Sequence, residues 1–245
     1  MADEILTARR GEILDITLSN PERGNAASDG MVTRLGDILE AETEARVVIL
    51  RGAGDDFCMG RASPPPPQTP PDAHQLRKMH DIVFRCYSAV RKTQAPVVSV
   101  VKGRAYGFGC ALASVADMTI AADDATFQVP EFAHNIMPTM VMSSLVDRLS
   151  VKALMYMVYT SKVISAERAM TLGLVNDVAP KDQVEGLVDA LCASILKASR
   201  PAVLGVKEYA LSAQAIDTNK AVNYARSIHA LVNTSSDLRA NFKKG

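Results

Sequence analysis

The sequence predicts an α/β core followed by a helical tail. Three stretches each pass from a strand through a turn into a helix, near residues 13–44, 47–90 and 97–116. From residue 181 onward the apolar residues recur at helical spacing, in three segments near 182–198, 201–213 and 216–241. With 245 residues, 48% of them hydrophobic, the chain can bury a full core. We therefore expect an α/β unit over residues 1–180 that carries the functional site, and a helical unit over residues 181–245.

The α/β unit begins with two strands, a loop, a helix and a buried strand. Residues 5–18 alternate in character and predict two short strands around Arg10 and Gly11. A loop over residues 20–25 leads to Ser28 or Asp29, either of which can cap a helix that runs to about Glu44. The apolar run at residues 47–51 is typical of a buried strand, and a glycine turn follows it.

The second part of the unit repeats this order after a proline-rich connection. Residues 63–71, SPPPPQTPP, favour an extended surface segment. The periodicity and the glycines then predict the remaining elements. These are a helix over 72–93, a strand over 97–101, a helix over 110–116, a strand over 118–121, one helical region over 139–159, a short helix from 165 that ends at Gly173, and a strand over 175–178.

Charge and cysteine content exclude several functional classes. Lysine plus arginine equals aspartate plus glutamate at 27 each, so no overall field recruits nucleic acid or an anionic membrane. The first residues are acidic and lack a long apolar run, so we expect a cytoplasmic protein. Cys58, Cys86, Cys110 and Cys192 form no CxxC pair, and the four histidines show no metal-ligand spacing. We therefore expect no metal ion and no disulfide.

Residues 102–132 contain the candidate functional site. Gly103, Gly107 and Gly109 follow an apolar strand and precede a helical segment. A turn of this kind leaves backbone N–H groups unpaired at the start of a helix, where they can hold developing negative charge. Glu131 follows in an apolar setting, which raises the pKa of a carboxyl group and suits it to moving protons. The stretch therefore predicts an anion site and its acid/base group.

Two other chemistries are compatible with part of this stretch. The glycine triplet also resembles the nucleotide fingerprint of short-chain dehydrogenases, but about a hundred residues of α/β pattern precede it, and no Tyr-x-x-x-Lys is present. Ser114, Asp117 and His134 could suggest a hydrolytic triad. However, the sequence has no GxSxG, and Ser114 lies inside the predicted helix rather than on an exposed turn. Both interpretations are weaker than that of an anion site.

Four ordered motifs resemble those of the enoyl-CoA hydratase/isomerase, or crotonase, family, and the resemblance runs nearly end to end. The motifs are ITLSNPERGNA, VVILRGAGDDFCMGRA, KGRAYGFGCALASVADMTIAADDATFQVPE and RAMTLGLVNDVAP. The resemblance implies a spiral of ββα units with a C-terminal helical trimerisation region, commonly in a hexamer built from two trimers. It also implies that an acyl-CoA thioester is the substrate and that no separate cofactor takes part.

The resemblance further implies catalytic roles for three residues. The backbone N–H groups of Arg61 and Phe108 would hold the thioester oxygen of an enolate, and preorganised donors of this kind are worth about 3 kcal/mol each. Glu131 matches the second of two carboxylates used by the family's hydratases, whereas Ala111 stands at the position of the first. A single carboxyl group suits proton transfer between two carbons. We therefore expect double-bond isomerisation of the 3-enoyl to 2-enoyl type.

Other reactions stay open at this point. Some lyases and decarboxylases of the family also work with a single acid, and His134 lies close enough in sequence to supply the second group that hydration needs. The alanine at position 111 and the large residues at positions 61 and 108 also allow a catalytically silent scaffold with the same fold.

The resemblance places the substrate contacts around these residues. Arg23 matches a basic residue near the CoA moiety, and Lys207 is a weaker candidate for the same role. The predicted contacts of the substrate are the backbone at Ala26, Met59 and Gly60, the residues Ala111 and Pro130 beside the catalytic positions, and a tail with Phe242 and Lys243 that would reach the CoA of a neighbouring subunit.

Overall fold

The computed structural model of the chain describes residues 4–62 and 69–242. Its centre is a six-stranded sheet in the order β1-β2-β3-β4-β6-β9, in which β1 is antiparallel to β2 and the other neighbours are parallel. The strands are β1 (Glu4–Arg10), β2 (Ile13–Ser19), β3 (Val47–Gly52), β4 (Val97–Val101), β5 (Arg104–Tyr106), β6 (Met118–Ala122), β7 (Thr126–Gln128), β8 (Ile164–Ser165) and β9 (Asp177–Ala179). The α/β class predicted from the sequence is confirmed.

Helices cover both faces of the central sheet. They are α1 (Asp29–Ala41), α2 (Ala73–Lys92), α3 (Phe108–Val115), α4 (Thr139–Leu145), α5 (Val151–Thr160), α6 (Ala166–Leu172), α7 (Val184–Leu196), α8 (Arg200–Ala213), α9 (Thr218–Asn233) and α10 (Ser236–Phe242). Within β3, Val47 and Ile49 pack with α7, whereas Val48 and Leu50 pack with α1, α2 and α3 on the opposite face. This division follows from the two-residue repeat of a strand, and it explains why the whole run is apolar.

A second, three-stranded sheet has no counterpart in the sequence-based prediction. Its order is β5-β7-β8, with β5 parallel to β7 and β7 antiparallel to β8. Its strands are only two or three residues long, and this length is too short to show the alternation by which a strand is recognised.

The structure corrects three predicted boundaries. The helical region predicted over 139–159 is two helices, because Ser150 has extended backbone and its hydroxyl accepts the N–H of Ala153 to start α5. The helix predicted from residue 110 begins at Phe108, directly after Gly107. The strand predicted at 175–178 is observed over Asp177–Ala179.

The C-terminal region is helical, as expected. Helix α7 packs on the central sheet, α8 packs against α7, and α8, α9 and α10 pack on one another. The predicted division at residue 180 and the predicted role of these helices in oligomer formation stay predictions. In the described part of the chain, no helix combines the length and the hydropathy that a bilayer span requires.

Candidate active site

An extended segment after β3 forms the first wall of the site. The N–H of Met59 donates to the carbonyl of Gly24 at 2.9 Å, and the N–H of Ala27 donates to the carbonyl of Gly60 at 2.8 Å. The side chain of Met59 packs over Gly24, since a β-carbon there would lie 2.7 Å from its sulfur. These contacts bring the loop with Arg23 and Ala26 beside Met59 and Gly60.

The same segment is tied on its other edge to β5. The N–H of Cys58 donates to the carbonyl of Arg104, and the N–H of Tyr106 donates to the carbonyl of Cys58, both at 3.0 Å. Further along, the backbone N–H and carbonyl of Ala27 form hydrogen bonds with the residues on either side of Arg61. In a parallel bridge of this kind the N–H of the central residue points away from its partner. The amide of Arg61 is therefore directed away from Ala27, and it has no hydrogen bond within the described residues.

The second wall is the turn between β5 and α3. Gly107 has φ +50° and ψ −115°, a combination that only glycine adopts without strain. Its carbonyl accepts the N–H of Ala111, which leaves Phe108 as the first residue of α3. The N–H of Phe108 has no hydrogen-bond partner in the described part of the chain, as expected in a first helical turn. Gly109 is required for close packing, because a β-carbon there would lie 2.0 Å from the carbonyl oxygen of Cys58.

The carboxyl group of Glu131 lies directly over this turn. A β-carbon on Gly107 would lie 2.8 Å from Oε1 of Glu131 and 3.9 Å from Cα of Gly60. Both glycine turns and the carboxyl group thus meet within about 4 Å of one point. Glu131 begins a short 3₁₀ turn over Glu131–His134, directly after Pro130. Its second oxygen, Oε2, is buried and has no hydrogen-bond partner among the described residues.

This environment changes the proton affinity of Glu131. Burial raises the pKa of its carboxyl group above the ordinary value, and a hydrogen bond from the backbone N–H of Glu131, together with nearby His134, offsets only part of that rise. A carboxylate with a raised pKa is a better base, because its pKa lies closer to neutral pH. The ring of His134 itself is exposed.

An ion pair joins the two walls. The carboxylate of Asp56 accepts the backbone N–H of Arg104 at 3.0 Å and two guanidinium N–H groups of the same residue at 2.8 and 2.7 Å. Arg104 holds the pKa of Asp56 below its ordinary value. Because Asp56 precedes the first wall and Arg104 begins β5, this pair fixes one wall relative to the other.

Large side chains fill the space behind the two amides. The rings of Phe108 and Tyr87 stack with their centroids 5.7 Å apart, and both residues are buried. Cys58 and Cys110 are buried near the same turn, and burial raises their pKa values to about 11 and about 12. Both therefore remain thiols at neutral pH, and they are unsuited to nucleophilic catalysis.

The comparison with protein-family models decides the family. The model described as enoyl-CoA hydratase/isomerase matches residues 8–244.

The chain belongs to the enoyl-CoA hydratase/isomerase family.

Individual relatives agree with this assignment. A curated relative, the mitochondrial enoyl-CoA hydratase domain-containing protein 3 of Rattus norvegicus, is 32% identical over 212 residues, which cover 80% of this chain and 66% of that protein. An enoyl-CoA hydratase from Mycobacterium smegmatis has a similar structure with a TM-score of 0.89 at 25% identity, covering 96% of this chain and 92% of that one. A protein from Thermobifida fusca YX, solved in complex with acetoacetyl-CoA, has a TM-score of 0.83 at 25% identity and covers 93% of each chain.

Most of the residues predicted from the family motifs lie together. The first wall carries Met59, Gly60 and Arg61, the second carries Phe108 and Ala111, and Pro130 precedes Glu131. Ala111 is fully buried inside α3 and supplies no proton. Arg23 is exposed next to the first wall. Phe242 ends α10, and Lys243 lies outside the described residues, so the predicted role of this tail stays a prediction.

One of the sequence-based interpretations needs correction. Lys207 is buried, and its ammonium group donates to the carbonyls of Val90 and Ala95 and pairs with Asp117 at 2.7 Å, so it is a structural cation and cannot reach a phosphate. Ser114 lies inside α3, as the sequence predicts, and its hydroxyl donates to the carbonyl of Ala111 in the core.

Sequence reasoning also missed residues that complete the site. Tyr87 is one of several apolar positions on a helical stripe, and nothing in that pattern distinguishes it from ordinary core residues. The pairing of Asp56 with Arg104 joins residues 48 positions apart, a distance at which a single sequence gives no signal.

Proposed function

We propose that this protein acts on acyl-CoA thioesters and stabilises their enolates, with Glu131 as its single acid/base group. The observation that carries this proposal is the position of the Glu131 carboxyl group, 2.8 Å from the β-carbon position of Gly107 and beside Gly60. The amide next to each of these glycines has no partner within the described residues. Two free donors and one carboxyl group around a common point are what enolate formation requires.

The reaction we propose is isomerisation of a 3-enoyl thioester to the 2-enoyl thioester. The Glu131 carboxylate removes a proton from C2, and the electron pair spreads over the diene and the thioester oxygen. The N–H groups of Arg61 and Phe108 hold that oxygen. Glu131 then returns the proton to C4, so that the double bond lies between C2 and C3. One carboxyl group serves both steps, which suits a site where the other family carboxylate is replaced by Ala111.

Acyl-CoA as the substrate class is supported by the relatives. The structure from Thermobifida fusca YX contains acetoacetyl-CoA, and the family match covers almost the whole of this chain. The exposed cation of Arg23 lies next to the first wall, where it is available to a phosphate of CoA.

Hydration of a 2-enoyl thioester is the second candidate. It is favoured by the names of the relatives, which include an enoyl-CoA hydratase. It requires a group that activates water in addition to the group that protonates carbon. Within the described residues Glu131 is the one carboxyl group at the two turns, and the ring of His134, the nearest candidate for a second group, is exposed.

The test begins with exchange of the C2 protons of a saturated acyl-CoA in deuterated water, measured by NMR. The native protein is expected to catalyse this exchange and to convert 3-enoyl-CoA to 2-enoyl-CoA. Glu131→Gln should slow both by about 100-fold to 10,000-fold, the usual contribution of a general base. Glu167→Gln, an exposed position on α6, is the matched control and should leave both rates unchanged.

Each other result has a defined meaning. A 3-hydroxyacyl product from 2-enoyl-CoA, without isomerisation, would replace the isomerase proposal by hydration. Failure to bind acyl-CoA or to exchange the C2 protons would indicate a silent scaffold and would refute enolate chemistry altogether.

A further inference from the structure

The side chain of Arg61 is more enclosed than an ordinary surface arginine. It is 24% exposed and pairs with Asp29 at the start of α1. Its Nε is buried and has no hydrogen-bond partner within residues 4–62 and 69–242. A buried donor without a partner costs free energy unless a ligand or water completes it. The guanidinium group therefore has donor capacity that the described residues do not use.

The positive charge of Arg61 faces helix α2. Burial raises the pKa of Cys86 to about 12 and raises the pKa of Tyr87, and in both cases the charge of Arg61 opposes the rise. Both residues are buried on α2. Arg61 does not contribute to the shift in the pKa of the Glu131 carboxyl group. The charge of Arg61 therefore lies on the α2 side of the reaction centre.

Asp29 is a weak and replaceable partner for this cation. Its side chain is 66% exposed, and exposed ion pairs contribute little to stability. A planar guanidinium group binds a carboxylate through two parallel N–H donors. The guanidinium group, whose side chain is 24% exposed, offers this arrangement to a second carboxylate that displaces Asp29. An uncharged acyl chain, in contrast, would offer no acceptor to the unused N–H donors of this cation.

We propose that Arg61 binds a carboxylate carried at the far end of the acyl group, so that the preferred substrates are monothioesters of dicarboxylic acids. The inference rests on the proposed function, because it takes the thioester carbonyl to lie at the amides of Arg61 and Phe108. Arg61 then has two separable parts. Its backbone N–H serves the chemistry, and its side chain determines specificity.

The test compares thioesters of equal length that differ only at the terminus. For each chain length from four to eight carbons, one saturated CoA thioester ends in a methyl group and its partner ends in a carboxylate. The ratio of kcat/KM for C2 proton exchange, carboxylate over methyl, is measured together with the ratio of dissociation constants from calorimetry. The native protein should prefer the carboxylate partner at one or two lengths.

Three substitutions test the assignment to Arg61. Arg61→Gln keeps the backbone N–H but loses the charge, and it should lower both ratios by about 10-fold to 100-fold, the value of a hydrogen bond to a charged group. Arg61→Lys keeps the charge without the two-donor geometry and should give an intermediate ratio. Asp29→Asn removes the competing internal carboxylate and should raise both ratios. Because each result is a ratio within one variant, a general loss of activity cancels.

The outcomes separate this inference from the proposed function. Ratios near one at every length in the native protein, unchanged by Arg61→Gln, would overturn the role of Arg61 while C2 exchange itself continues. Absence of exchange with every thioester would refute the proposed chemistry. In that event the dissociation constants alone still decide whether Arg61 selects the carboxylate. A fall in the ratio for Asp29→Asn would also contradict the inference.

Discussion

Replacing Gly107 by alanine should disable the site with only a moderate loss of stability. The new β-carbon would lie 2.8 Å from Oε1 of Glu131, whereas the nearest backbone atom, Cα of Gly60, is 3.9 Å away. The side chain that must move is therefore the carboxyl group. The backbone itself, at φ +50° and ψ −115°, would cost about 1–3 kcal/mol with an L side chain.

The expected magnitudes follow from this geometry. A protein of this size loses about 2–4 °C in Tm per kcal/mol, so the variant should remain folded at 25 °C. A displacement of about 1 Å in a catalytic group can cost about 100-fold in rate. Gly107→Ala should therefore slow C2 proton exchange by at least about 100-fold, measured by NMR in deuterated water, while thermal unfolding by circular dichroism shows a cooperative transition.

Two companion variants identify the cause. Gly11 also has a positive φ, +59°, but no atom of the described residues lies within 4 Å of its β-carbon position. Gly11→Ala should cost about 1 kcal/mol and leave the exchange rate unchanged. The double variant Gly107→Ala with Glu131→Gln should be no slower than Glu131→Gln alone, since both changes act through one group. Exchange near the native rate in a folded Gly107→Ala protein would refute the idea that the carboxyl group acts from its position over this turn.

Three further variants test the electrostatics. Burial raises the pKa of Glu131 above 4.5, so the folded state loses stability as pH rises from 4.5 through the raised pKa. Glu131→Gln should therefore have a higher urea midpoint than the native protein at pH 7 but not at pH 4. Arg104 lowers the pKa of Asp56 below 3.8, so Asp56→Asn should lower the free energy of unfolding by about 1–2 kcal/mol at neutral pH. The difference between the variant and the native protein should become smaller as pH falls below 3.8. Equal stability of the two proteins at pH 7 would contradict the idea that this ion pair holds the two walls together. Lys207→Met leaves the carboxylate of Asp117 without its buried partner. It should lower the free energy of unfolding, measured in urea, by about 3–5 kcal/mol. An unchanged free energy of unfolding would show that the pair is not structural.

The parts of the fold that the sequence predicts are those with long, regular patterns. All five residues of β4 are buried, so the strand is an unbroken apolar run, and α1 and α2 have polar caps at Ser28 and Asp72 together with an apolar stripe. Helix α4 ends at Leu145, and α5 begins only after Ser150, whose hydroxyl caps it. Apolar residues continue through the short gap between the two helices, and for this reason periodicity alone predicts a single helix there.

The site was predictable to a different degree. Glycines at sharp turns and a carboxylate in an apolar stretch are visible in one sequence, so Gly107 and Glu131 could be named in advance. The position of the Tyr87 ring and the side toward which the Arg61 charge lies depend on how α2 packs against the two turns. That approach is a tertiary contact between distant segments, and its contribution is absent from local residue patterns.

The small sheet that the sequence does not predict explains why the two predicted features meet. Strands β5 and β7 are parallel, with Tyr106 opposite Gln128, and the N–H of Gly107 donates to the carbonyl of Gln128 at 2.9 Å. The glycine turn therefore begins where β5 ends, at the same end of the sheet as the end of β7. Strand β7 ends three residues before Glu131. A shift of this register by one residue would turn every side chain of β7 to the opposite face and would move the carboxyl group away from the turn. The three-residue pairing of β5 with β7 thus determines the contact between the Glu131 carboxyl group and the turn at Gly107. The sequence motifs suggest this contact but cannot by themselves produce it.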